Sequence, residues 1–591
     1  MYRPVLDSVG GSLALTSIFA ALPLLTLFVL LGVLRMKAWM AALISLAVSV
    51  IVAIVVYSMP VTQTLSAGLE GAAFGFFPIL WIVINAIWVY NMTVVTGHFD
   101  VLRRSFSKVS ADQRIQGVIV AFSFGALLEA LAGFGTPVAI TSVMLIALGF
   151  KPMKAATVAL VANTAPVAFG ALAVPITTLA TVSGLPEQDL GAMVGRQTPL
   201  LGLFVPMALV FIIDGKRGVR QTLPATIVSG VAFAVAQFLT SNFLSVPLTD
   251  VVAALVSAVA VVLLLRVWHP AETYIEGQDE TVATTGDARA TTGDARATTG
   301  DARATTMASS GRHGVPAAGS DHPVGPGTPG SVAELAARDA GKHDSAADVL
   351  RAYAPYLIII AVFVIAQFPA IKGALDSVTK IFPWPGLDDL QTAGGKASKL
   401  PLFKLNWLGA AGTLMIFAGL ITIPVIGIKP AQAARAYTDT YRQLAKAIVT
   451  VMAVLGLAYV MNASGETATL GAWMAGAGAA FALISPILGW LGVAVTGSDT
   501  SSNSLFGALQ VSAAGKAGLD PLLMAASNSS GGVLGKMISP QNLAIACAAV
   551  GMSGREGDLF RKVIGWSLGF LVFMSVLVYL QSTPVLSWMV P

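Results

Sequence analysis

The sequence predicts an all-α, polytopic membrane protein with about twelve transmembrane helices, supplemented by re-entrant or broken helices and organised as two repeat halves. Three observations carry this class. Of 591 residues, 55% are hydrophobic and only 11% charged, about half the ~25% charged fraction of soluble domains. Many runs approach the roughly 20 apolar residues that a spanning helix needs. These runs are continuous, whereas the strands of an outer-membrane barrel alternate and extend only ~9–11 residues.

In chain order the apolar runs are 11–34, 39–57, 74–95, 116–131, 199–213, 222–239, 251–265, 354–368, 407–428, 447–461, 473–495 and 563–579. The first exceeds a signal-peptide core and no small-residue cleavage site follows it, so it is expected to remain as a helix. Arg35 and Lys37 separate the first two spans. Arg103, Arg104, Lys108 and Arg114 fill the connection after the third, and Lys216, Arg217 and Arg220 cluster in another. Positive residues favour the cytoplasm, which puts these loops inside and the N-terminus outside. Parity then requires one early segment to be broken or re-entrant. The net charge of +5 is spread over loops and reads as topology rather than a nucleic-acid footprint. With Cys547 as its single cysteine, the chain has no internal disulfide.

Three regions follow: a first transmembrane half, 1–268, a polar linker, 269–350, and a second transmembrane half, 351–591. The linker repeats TTGDARA at 284–290, 291–297 and 298–304. Its seven-residue period has no apolar a/d pair. With GVPAAGSDHPVGPGTPG (314–330) behind it, the segment reads as a disordered cytoplasmic connection. A second polar stretch, 371–404, is expected outside. The halves echo each other. ANTAPVAFGALAVP (162–175) and SNSSGGVLGKMISP (527–540) share the spacing of Asn163, Gly170 and Pro175 with Asn528, Gly535 and Pro540. Each follows a glycine-containing segment with an acid, GALLEALAGFGTP (125–137) and GSDTSSNSLFG (497–507). Paired Gly/Pro-interrupted segments point to a transporter binding site.

Glu129, Asp499 and Lys536 stand at membrane depth, with Glu70 and Glu466 as weaker cases at expected span ends, where an acid reaches water. An ionised residue at a helix centre costs roughly 2.5–3.5 kcal/mol on insertion scales. The first three are therefore expected to pair, line a cavity, or carry an ion or proton. A buried ion pair that only sets helix register is the plainer alternative. The sequences AGFGTP and SSGGVLGKMISP interrupt helices, because glycine is permissive and proline lacks an N–H. Such breaks are tolerated in a membrane only where protein or a water-filled cavity covers them. The new helix N-termini present N–H groups that bind anions, and adjacent Ser, Thr and Asn add neutral hydrogen bonds. That combination suits a small carboxylate with a polar substituent; glycine-mediated helix packing is the competing reading.

Other classes lose ground. His98, His269, His313, His322 and His343 all fall outside the apolar runs, which disfavours a Ser–His hydrolase or a histidine metal site in the membrane. No Walker-type phosphate loop is present. A secondary transporter remains, not an enzyme, with no metal and no cofactor beyond protons as coupling ion. An apolar site disfavours the charged form of an acid, so Asp499 or Glu129 is the expected proton carrier, with Lys536 as counter-charge. A transporter of another small carboxylate, a sodium-coupled carrier and a passive anion channel are the rivals.

The stretches FGALLEALAGFGTPVAIT (124–141), NTAPVAFGA (163–171), MVGRQTP (193–199), TGSDTSSNSLFGALQ (496–510) and NSSGGVLGKMISPQNLAIACAAVG (528–551) resemble the bacterial L-lactate permease family. The resemblance spans both apolar halves and excludes the linker. It implies proton-coupled uptake of L-lactate, with tolerance for D-lactate and glycolate, across the bacterial cytoplasmic membrane. It also implies the fold of the ion-transporter superfamily, with two inverted repeats, a scaffold and a moving domain with helix hairpins. From the matching motifs it carries over Glu129, Gly133, Gly135, Thr136, Asn163, Asp499, Thr500, Ser501, Ser502 and Asn503. Asn528, Ser529, Ser530, Lys536 and Gln541 follow from the last motif, and Arg196 becomes a gate at an outer rim. The implied partners are a small 2-hydroxycarboxylate and the lipid bilayer, without nucleic acid; a homodimer is left open.

Overall fold

The computed structural model describes residues 2–276 and 344–591, apart from 35, 108, 132, 134, 367, 388, 393–394, 396–397 and 399–400. The TTGDARA repeats and the stretch 314–330 lie outside the described residues. The chain is a helical multi-pass membrane protein. Ten segments among the described residues are long and apolar enough to cross a bilayer, and an eleventh arises if Pro152–Ala162 and Val167–Ser183, bent by 65°, form one broken span.

Several spans follow the apolar runs directly: Leu13–Leu31, Ala38–Val55, Val246–Leu264, Ala346–Ala366 and Glu556–Gln581. The helix Thr198–Leu239 holds two of them. It reverses at Asp214 and Gly215, the latter at φ 63° and ψ −152°, a conformation that only glycine adopts readily. Gly202 then lies against Phe233 and Gly230 against the Leu203 main chain. The runs 199–213 and 222–239 are antiparallel arms of one hairpin.

Val61–Val95 and Pro430–Ser464 each contain 35 residues. Pro430–Ser464 is one continuous helix of roughly 50 Å at 1.5 Å per residue, well beyond the ~30 Å hydrocarbon core, whereas Val61–Val95 is kinked at Phe77, whose backbone (φ −131°, ψ 121°) is not helical. They run antiparallel, with Gly71 against the Leu455 carbonyl and Asn91 Nδ2 donating to Thr440 at 2.9 Å. The sequence runs 74–95 and 447–461 mark only the more apolar parts of these segments. That difference overturns the reading of Glu70 and Glu466 as acids reaching water at span ends. Glu70 is fully buried inside Val61–Val95, and neither carboxyl oxygen has a hydrogen-bond partner among the described residues. Glu466 is equally buried at the break after Ser464, where it accepts from Ser49 (3.1 Å) and Ser464 (3.0 Å).

Arg114 also leaves the loop expected for it. It lies in the first turn of Gln113–Leu131, fully buried, and donates to Asp112 (2.7 Å), Asp214 (3.0 Å) and the Glu272 carbonyl (2.6 Å). Residues 269–276 therefore pack on the first transmembrane half, with Glu276 paired to Lys154 at 2.8 Å. In the polar stretch 371–404, Lys380–Pro383 pairs antiparallel with Leu402–Leu405.

Candidate functional site

Four helix interruptions converge on one buried cavity. The rod Gln113–Leu131, whose middle (Gly117–Phe124) is π-helical, carries Glu129 near its end. Gly133 (φ 48°) and Gly135 (φ 82°) then turn the chain into Thr136–Ala147. The next helix, Pro152–Ala162, ends at Asn163, and the following one begins at Gly170. There Ala171, Leu172 and Ala173 are left-handed, at φ 45°, 58° and 61°. A non-glycine residue in that region costs about 1–3 kcal/mol, so surrounding contacts hold this turn in place. In the second half Phe481–Thr496 breaks at Gly497 before Asp499–Ala517, and Pro521–Gly535 breaks at Lys536 before Pro540–Ala549.

The cavity has a volume of about 50 Å³ and is lined by Glu129, Gly133, Gly170, Ala171, Val174, Ser498, Asp499, Thr500, Lys536 and Gln541, among others. Lys536 Nζ lies 2.5 Å from Glu129 Oε1, with both side chains over nine-tenths buried. Asn163 Nδ2 donates to the other oxygen, Oε2, at 2.9 Å. Asp499 Oδ2 accepts from Ser529 Oγ (2.5 Å) and Asn503 Nδ2 (3.4 Å). Its Oδ1 is buried without a hydrogen-bond partner among the described residues and faces Gly532, the position where any Cβ would strike it. Ser498 caps the helix by accepting from Ser501 N–H. The N–H groups of Asp499 and Thr500 belong to the first turn, which has no intrahelical acceptors for them.

The residues carried over from the sequence thus stand in different places, with Ser501 in the first turn of Asp499–Ala517, where its N–H donates to Ser498. Glu129, Gly133, Asp499, Thr500, Lys536 and Gln541 line the cavity, Gln541 exposed at its rim. A second set stands behind. Asn163, Ser529 and Asn503 hold the two acids, Asn528 donates to Asn503 (2.9 Å), and Asn503 also reaches the Pro175 carbonyl (3.1 Å). Ser502 donates to the Gly489 carbonyl (3.0 Å) and Ser530 to Gln197 (2.6 Å), so both serve helix packing. Gly135 and Thr136 sit at the start of Thr136–Ala147, with Gly135 against Ile545 and Asn542. Arg196 does not line the cavity. Its guanidinium is tied to Asn242 (2.9 Å) and the Met589 carbonyl (3.0 Å).

Sequence reasoning passed over Gly170 and Asp250. Gly170 was visible as part of the echo, but its role is steric: a Cβ there would stand 2.8 Å from Glu129 Oε1. Asp250 precedes an apolar run and reads as an ordinary first-turn acid. In the structure it is fully buried, accepts from Gln237 Nε2 at 2.8 Å and lies within electrostatic reach of Glu129.

A multi-pass helical bundle that buries a charged cavity between broken helices defines the class, a membrane permease. Comparison with known proteins narrows it. The family model described as L-lactate permease matches residues 16–300 and 330–585, and the chain belongs to that family. It is 38% identical to an L-lactate permease of Bacillus subtilis (strain 168), covering 100% of this chain and 99% of that protein. It is 39% identical to an L-lactate permease of Escherichia coli (strain K12), over 98% of both chains. The glycolate permease GlcA of the same strain is 40% identical, over 98% of this chain and 97% of its own.

Proposed function

We propose that the protein is a secondary active carrier that takes up L-lactate together with a proton, with D-lactate and glycolate as alternative substrates. The observation that supports this reading most is the cavity itself. Glu129, Asp499 and Lys536 share it with the first turn of Asp499–Ala517, so it offers anion-binding groups and protonatable groups side by side. The substrate carboxylate is drawn to the positive elements, namely the helix N-terminus and Lys536. Its 2-hydroxyl meets the hydroxyl and amide groups around Asp499. A proton held by Glu129 or Asp499 balances the substrate's negative charge in a site with little access to water.

Size supports the substrate class. A buried water needs about 10–15 Å³ of cavity, so 50 Å³ corresponds to only a few waters. Lactate and glycolate are of that order. A tricarboxylate is far larger and carries more charge than the site can offset.

The test is radiolabelled L-lactate uptake by proteoliposomes under an imposed inward proton gradient, without sodium. Accumulation that a protonophore abolishes is the expected result. Equilibration without accumulation would assign a channel or another coupling ion, and sodium-dependent accumulation would overturn proton coupling. Failure of folded protein to carry lactate would overturn the substrate.

A further inference from the structure

Two carboxylates and one ammonium share this cavity, and the ammonium is already engaged. Lys536 has three N–H donors, and the hydrogen bond found for it among the described residues goes to Glu129 Oε1 at 2.5 Å. Glu129 cannot withdraw freely: Asn163 holds its second oxygen, and the Gly170 backbone stands against the first closely enough to exclude a Cβ. An incoming carboxylate would therefore meet two acids and a cation already neutralised by one of them. For the lysine to serve the substrate, Glu129 must lose its charge.

We infer that the substrate carboxylate replaces Glu129 as the ion partner of Lys536, and that protonation of Glu129 is the event that frees the lysine. The inference rests on the carrier reading above and decides between its two acids. In sequence, a proton from the outer solution binds a Glu129 oxygen, and the Glu129–Lys536 ion pair becomes a weaker neutral contact. Lys536 then pairs with the lactate carboxylate. On the inner side lactate leaves, Glu129 gives its proton to water, and the ion pair re-forms. One proton accompanies each lactate, and neither is chemically altered. Substrate and proton bind together because the lysine can satisfy only one carboxylate fully.

The other groups around Glu129 do not perform this exchange. Asp499, across the cavity, lies within electrostatic reach of Lys536, but its hydrogen bonds among the described residues come from Ser529 and Asn503, not from the lysine. Asp250, on Thr249–Leu264, is engaged at Oδ1 by Gln237, and no hydrogen bond joins it to Lys536 among the described residues. Gly170–Ser183 and Thr136–Ala147 contain no titratable residue. Tyr90 is carried by Trp81–Val95 and Lys154 by Pro152–Ala162, where Lys154 is paired with Glu276.

The experiment compares wild type with Glu129→Gln in proteoliposomes by two assays: lactate counterflow at equal pH on both sides, and accumulation driven by a proton gradient. For wild type the counterflow KM should rise about tenfold per pH unit on the alkaline limb. In Glu129→Gln it should be independent of pH, while accumulation falls to equilibration. Lys536→Met should raise the counterflow KM at least about a hundredfold, and adding Glu129→Gln should not restore it. Gradient-driven accumulation by Glu129→Gln, or a counterflow KM with the wild-type pH dependence, would overturn the inference. Absence of lactate counterflow in wild type would instead strike the carrier reading.

Glu129→Gln leaves a buried ammonium without its counter-ion, so a measurement that avoids this variant is needed. Lactate added to weakly buffered wild type in detergent, at alkaline pH, should draw about one proton per lactate bound. Asp499→Asn should bind lactate more weakly yet still draw a proton for each lactate. No proton uptake by wild type, or its loss in Asp499→Asn with binding retained, would also overturn the inference.

Discussion

Replacing Gly170 with alanine tests whether Glu129 is held as tightly as its contacts imply. At Gly170 the backbone angles are φ −61° and ψ 154°, which any residue adopts, so the substitution imposes no backbone strain. The added methyl would lie 2.8 Å from Glu129 Oε1, 3.3 Å from Cγ and 3.4 Å from Cδ. Relief to ordinary contact requires Oε1 to retreat by about 0.6 Å, the difference between 3.4 and 2.8 Å. A carboxylate at the end of a free side chain would comply at little cost. Here Lys536 holds Oε1 at 2.5 Å and Asn163 holds Oε2 at 2.9 Å. Overpacking of this kind costs about 1–3 kcal/mol, partly offset by the ~0.4–1 kcal/mol that Gly→Ala contributes through the unfolded chain. The net expectation is roughly 1 kcal/mol of lost stability. Uptake, expressed as kcat/KM for lactate, should fall about tenfold, the equivalent of ~1.4 kcal/mol. The assays are initial-rate lactate uptake in proteoliposomes and thermal melting in detergent. Gly557→Ala, where nothing lies within 4 Å of the new methyl, serves as control. Wild-type uptake and melting in Gly170→Ala would show that Glu129 is free to move, and would refute the reasoning.

Three further outcomes are expected. Arg114→Met removes a fully buried cation and strands Asp112 and Asp214; breaking a buried pair costs about 3–5 kcal/mol, which detergent melting should register as a clear fall in midpoint. Gly531→Ala should be similarly harmful by a different route, because the new Cβ would stand 2.6 Å from Pro486 Cα and a main chain cannot yield as a side chain does; about 1–3 kcal/mol or more is expected, with wild-type melting as the contrary result. Arg196→Ala should leave the lactate KM within about twofold of wild type, equivalent to ~0.4 kcal/mol, since that side chain hydrogen-bonds Asn242 and the Met589 carbonyl and does not line the cavity. A KM raised tenfold or more would return Arg196 to the site.

Membrane residence, most spans and the membrane-depth charges of Glu129, Asp499 and Lys536 were legible in the sequence. Each depends on local quantities: a run of apolar residues, a glycine or proline that interrupts it, or an ionisable group where insertion is costly. The breaks at Gly133, Gly135 and Gly497 are local in the same sense, because left-handed φ values there call for glycine. Family resemblance added the substrate expectation, which no local property contains. Which groups meet was not local. The Glu129–Lys536 pair joins residues 407 positions apart, and Asn503 reaches the Pro175 carbonyl across 328. Hydropathy also marked only the more apolar parts of Val61–Val95 and Pro430–Ser464, whose less apolar turns bury one face and expose the other. Glu70, Glu466 and Arg114 were expected near water and are instead enclosed. Arg196 and Gln197 are neighbours in one motif, yet one turns to Met589 and the other to Ser530. The sequence by itself determined the solvent, the class and the charges that had to be reconciled with lipid. Tertiary structure alone decided which carboxylate neutralises the lysine, because a buried charge is stabilised by whatever the packing brings within a few ångströms, and that distance is not encoded in any one segment.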